Sequence, residues 1–70
     1  MKDTILKLKM YKDSNIKVFL KVYFDEKSFS KHNGFIKDIK KEYIIFDDVI
    51  KGITPILIKD ILKIDKSKFV

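Results

Sequence analysis

Between residues 16 and 24 the chain alternates with a period of two. Ile16, Val18, Leu20, Val22 and Phe24 fall on one side, and Lys17, Phe19, Lys21 and Tyr23 on the other. That alternation predicts a strand with one wholly apolar face. Residues 25–33 are polar and turn-rich apart from Phe29, and predict a loop. Gly34 then opens a second strand over 35–39, with Ile36 as its inward residue, and Lys40, Lys41 and Glu42 form a tight turn. Residues 43–48, aromatic and β-branched and closed by two aspartates, predict a third strand. Residues 49–52 are the next turn, where Gly52 can take a positive φ. A fourth strand follows over 53–58. Pro55 removes a ladder donor from it, so this stretch is expected at an edge, a bulge or a strand start. Residues 59–61 look like a single helical turn, 62–64 a short closing strand, and the mostly charged 65–70 are expected to fray.

Residues 4–11 fit two descriptions equally well. Leu6, Leu8 and Met10 alternate as a strand would, whereas Asp3 as an N-cap, with Ile5/Leu8 and Leu6/Met10 at helical spacings, makes a short helix. Residues 12–15 are a turn under both. Five short strands with tight turns and no long helix predict an all-β fold, a small five-stranded, strongly bent antiparallel β-barrel forming one domain over 1–70.

Length and composition sharpen this picture. A domain of 70 residues buries only about 60% of the surface its unfolded chain exposes, and such a core rarely leaves more than about 3–5 kcal/mol of net stability unaided. With no cysteine and one histidine, disulfide and zinc staples are excluded, so self-association is the expected stabiliser. Phe19 and Tyr23 point the same way, because they lie opposite the apolar stripe and need a cover. A hydrophobic fraction of 46% excludes disorder. The net charge of +6 suits an anionic partner. A lysine-only basic set with abundant isoleucine also suits AT-rich coding or a hot habitat, so charge alone decides nothing. The longest wholly apolar run, Tyr43 to Phe46, is four residues against the roughly 18–20 that a membrane span needs. No membrane partner and a cytoplasmic location are therefore expected.

The residues argue against catalysis. His32 is read as a solvated loop histidine near Ser28 and Ser30, without the ordered acid or oxyanion site of a triad. Asp47 and Asp48 are adjacent on a strand, so their carboxylates should diverge, as strand-ending turn aspartates do. Gly34 and Gly52 cannot build a phosphate-cradling loop. Neither enzyme activity nor a cofactor nor a metal is expected. Binding through lysines and aromatics is what remains. Lys31, His32 and Asn33 form one candidate rim, and Lys40, Lys41 and Tyr43 a second, in the pattern by which small barrels stack bases and hold phosphates.

From Gly34 onward the chain resembles the Sm-like superfamily, to which the bacterial Hfq proteins belong. The segment 34–46 is similar to the family's first signature: a glycine, apolar residues two and five positions on (Ile36 and Ile39), a turn, then an apolar run. The segment 56–64 is similar to the second, in which two closing strands meet around a tight turn. In Hfq that turn starts with an aromatic, a Lys and a His; here Ile58, Lys59 and Asp60 stand there. The usual turn aspartate is replaced by Lys40, and Tyr43 or Ile44 occupies the place of the uridine-binding asparagine. The strand from Ile16 and the segment before it match the family's first strand and leading helix, so the resemblance covers about 4–64. It implies an Sm-like barrel closing into a homo-oligomeric ring of about five to seven subunits by edge-strand pairing. It also implies binding of single-stranded RNA without chemistry, with Lys59 joining the candidate residues above. Two alternatives stay open: a small-barrel structural or protein-interaction module that binds no nucleic acid, and a monomeric small barrel of another lineage.

Overall fold

A computed structural model describes residues 2–68, in the order α1 (Lys2–Asp13), β1 (Val18–Asp25), β2 (Ser28–Ile39), β3 (Tyr43–Asp48), β4 (Gly52–Leu57), a 3₁₀ turn (Ile58–Asp60) and β5 (Ile61–Lys66). The strands form one antiparallel sheet in the order β4-β3-β2-β1-β5. It is not closed, since β4 and β5 are its edges. It must nevertheless curl. Four strand spacings of about 4.8 Å would separate the edges of a flat sheet by roughly 19 Å. Yet only the 3₁₀ turn joins Leu57 of β4 to Ile61 of β5, a path of about 8 Å at the 3₁₀ rise. The two edges therefore approach each other at this end.

The even-numbered residues of the strands supply the buried face: Val18, Leu20, Val22, Ile36, Ile44, Phe46, Ile56 and Ile64, with Ile58 of the 3₁₀ turn. Helix α1 covers them with Leu8 and Tyr11, three residues apart and so on one side of the helix. The N-terminal ambiguity thus resolves as helix, and Asp3 lies in its first turn rather than ahead of it. The helix ends in a cap that reaches past the expected turn. Asn15 takes a left-handed φ of 51°. Its N–H donates to Lys12 O at 3.1 Å while Ile16 N–H donates to Tyr11 O at 3.1 Å. These are the paired bonds of a Schellman motif, with asparagine where glycine is commoner.

Three expectations are corrected. Residues 25–33 are not a loop: only Glu26 and Lys27 turn, and β2 runs unbroken through Gly34. Residues 65 and 66 belong to β5, and Ser67 N–H donates to Lys17 O at 2.9 Å, so fraying does not begin at 65; residues 69–70 lie outside the described ones. Phe24 is not in the core but 72% exposed, because the β1–β2 register shifts between Tyr23 and Asp25 and such an irregularity re-aims the side chain inside it. Pro55 does lie on an edge strand and Gly52 does take a positive φ, at 78°.

Candidate nucleic-acid interface

Two connections meet at the end of the sheet where its edges converge. One is the 40–42 turn between β2 and β3, the other the 3₁₀ turn, and Ile58 N–H ties them by donating to Glu42 O at 3.0 Å. Between them lies a cleft of about 350 Å³ lined by Ile5 of α1 together with Lys41, Glu42, Leu57, Ile58 and Lys59. Its wall is aliphatic and it carries two ammonium groups against one carboxylate. An arrangement of this kind can hold a flat apolar group with an anionic tail. Tyr43 sits beside it, paired across the sheet with Leu57. Four of the expected residues, Lys40, Lys41, Tyr43 and Lys59, therefore lie on or next to two adjoining turns.

Lys40 is already engaged there. Its Nζ lies 2.9 Å from Asp38 Oδ2. The Lys40 ammonium, with the N–H of Ile39, holds the Asp38 carboxyl below the usual carboxylate range, and Asp38 in turn raises Lys40. Lys41 and Lys59 are the cleft's cations without such a carboxylate within ion-pair reach among the described residues.

The other three expected residues are elsewhere. Lys31 is exposed on the outer face of β2, and Asn33 on that face accepts a hydrogen bond from Ser67 Oγ at 2.8 Å. His32 is not a solvated loop residue. It is buried on the core side of β2, its ring edge-on to Phe46, with Nδ1 2.6 Å from Asp48 Oδ2. Ser30 Oγ lies 3.1 Å from Nε2. Asp48 Oδ1 accepts the N–H groups of Ile50 and Lys51 at 2.8 and 3.1 Å. Burial is the strongest single influence on Asp48 and opposes its charge. The Ile50 N–H, the His32 ring and the Lys51 N–H together outweigh it and hold the carboxyl below its ordinary range. The pair clamps the β3–β4 turn to β2, and it leaves His32 no part in an exposed rim. Asp47, as expected, diverges from Asp48: it pairs with Phe35 and Ile53 on the other face.

No sequence signal marks Ile5 and Leu57 as cleft residues, since only the tertiary meeting of α1 with the two turns brings them together. Ser30 and His32 were legible in principle, because counting back from inward Ile36 in steps of two reaches Gly34, His32 and Ser30. Among the described residues no group of three or more His, Asp or Glu could hold a metal ion, and no helix is long and apolar enough to cross a membrane. Comparison with known proteins finds no matching family model, curated protein or solved structure.

Proposed function

We propose that the chain is an Sm-like barrel which assembles into a homo-oligomeric ring and binds single-stranded RNA, without catalysis, at the two adjoining turns. The observation that carries this reading is the strand order β4-β3-β2-β1-β5 behind an N-terminal helix, with a 3₁₀ turn linking the two edge strands. A leading helix and two closing strands joined by a tight turn are what the resemblance implies, and this strand order leaves both edges open for subunit pairing. Lys41 and Lys59 would hold phosphates, and the aliphatic wall of Leu57 and Ile58, with Tyr43 beside it, would receive a base. Without the family's asparagine and histidine, any base preference must come from stacking and shape.

The exposed apolar strip on the outer face of β3 and β4, formed by Tyr43, Ile45, Pro55 and Leu57, favours the protein-interaction module as the second reading. Light scattering at low and high salt, with the 260/280 nm absorbance ratio read on the same peak, separates the two. A salt-stable ring that carries nucleic acid at low salt and sheds it at high salt supports RNA binding. A ring free of nucleic acid at every salt transfers the reading to the interaction module, and a monomer removes both assemblies.

A further inference from the structure

A second feature lies outside the turn cleft, on the outer face of β5, β1 and β2. Lys21 pairs directly with Lys31 on one side and with Lys63 on the other. Three ammonium groups therefore stand in one row across three neighbouring strands. Like charges directly opposite one another destabilise a sheet, so the row is a cost that the fold relieves only in part. Among the described residues only Lys63 of the three has a carboxylate within ion-pair reach, Asp65 at 3.5 Å. Lys21 and Lys31 instead share the Phe29 ring, with Nζ 3.9 and 5.6 Å from its centroid. Phe29 pairs across the hairpin with Tyr23, and the two rings are 44% and 46% exposed.

We infer that this face is a separate binding surface for single-stranded nucleic acid, whose strand lies across β5, β1 and β2. The charge selects a polyanion, and the row's lateral spacing of about 4.8 Å per strand sets its cations along a line that crosses the strands. The adjoining Tyr23–Phe29 pair selects an anion that also carries flat rings. A phosphate chain without bases would satisfy the lysines and leave the aromatics idle; an acidic peptide would rarely engage both. This inference goes beyond the cleft reading, because none of its residues lines the cleft.

The test is fluorescence anisotropy of a labelled 12-nucleotide single strand over a range of salt, with inorganic polyphosphate as competitor. The proteins compared are the full chain, the row variant Lys21→Gln/Lys31→Gln/Lys63→Gln, the ring variant Phe29→Leu and the cleft variant Lys41→Gln/Lys59→Gln. The row variant should bind at least tenfold more weakly, and its log–log salt slope should fall by about 2, at roughly 0.7 for each phosphate that is no longer neutralised. Phe29→Leu should weaken binding about tenfold with little change in slope. Thermal unfolding checks that the row variant folds, since relief of the lysine repulsion offsets loss of the Asp65 and Phe29 contacts. Weaker binding in the row variant alone supports this surface and removes the cleft reading. Weaker binding in the cleft variant alone overturns this surface and leaves the cleft reading standing, whereas weaker binding in both supports both. Unchanged affinity in the row variant overturns the inference. So does a Phe29→Leu variant that binds as tightly as the full chain, combined with polyphosphate competing charge for charge, which would mark a nonspecific polyanion surface.

Discussion

At Gly34 the backbone of β2 approaches β3 so closely that a side chain has no room. A Cβ built there would lie 1.9 Å from the carbonyl oxygen of Asp47 and 2.8 Å from its carbon. Both are backbone atoms of a paired strand, so they cannot swing aside as the end of a side chain could. Gly34→Ala should therefore cost about 3 kcal/mol or more, seen as a lower urea midpoint, whereas at a strain-free site the same change would gain about 0.4–1 kcal/mol. Asp48 poses the complementary problem. It is buried, and it accepts bonds from two turn N–H groups and from His32. Asp48→Ala leaves those donors without a partner and should destabilise by about 2–4 kcal/mol. The pH dependence follows from its lowered pKa. The folded state binds that proton more weakly than the unfolded chain, whose aspartates titrate near 3.9. Stabilisation is thus complete above about pH 5 and is lost as pH falls through 4 toward the lower folded value. Urea midpoints between pH 6 and 3 should drop less steeply in Asp48→Asn than in the unaltered chain. Equal slopes would show that Asp48 is not a source of the acid sensitivity.

Helix α1 carries apolar residues on every side, and only its packing tells which of them matter. Leu8 is fully buried against the sheet, whereas Leu6 is 63% exposed. Leu8→Ala should cost about 2–5 kcal/mol and Leu6→Ala less than about 0.5, as read by thermal or urea unfolding. Comparable losses would mean that the helix does not cover the core with the Leu8 face. That all-round apolar pattern is also why helix and strand were equally legible at 4–11, while the Schellman cap at Asn15 was signalled only by a residue type common in turns. Strand β3 could be read to its ends because its period, composition and closing aspartates agree. Strand β2 could not. Its first half puts Ser30 and His32 inward and Phe29 and Lys31 outward, the reverse of the usual rule, because a partner sixteen residues away, Asp48, satisfies the histidine. The same reversal hid half of the candidate surface. Lys41, Tyr43 and Lys59 could be found from residue type and turn position, but the lysine row depends on register between strands. Register is set by the tertiary fold, and Lys21 and Lys63 look like ordinary solvated lysines until it is known.

The whole molecule turns on its two open edges, and the hydrogen-bond phase of β4 shows which of its groups face outward. Ile58 N–H donates to Glu42 O, so in the β3–β4 register Ile44/Ile56, Phe46/Thr54 and Asp48/Gly52 are the bonded pairs. Ile53, Pro55 and Leu57 then direct their backbone groups away from β3. Pro55 fits this phase, since its missing N–H falls on the open side. The edge therefore offers two N–H groups, from Ile53 and Leu57, to any strand that pairs with it. Leu57 has φ −67°, a value proline takes without strain. On the proposed edge-paired ring, Leu57→Pro should accordingly remove an outward donor while keeping the β3 ladder, so that the subunit stays folded by circular dichroism while light scattering gives a mass near the 8.3 kDa of the chain. Ile56→Pro, which removes an inward donor, should unfold the subunit instead. A Leu57→Pro protein with the same mass as the unaltered one, if that is oligomeric, would mean that subunits do not meet through the β4 edge, and the proposed ring would need another surface.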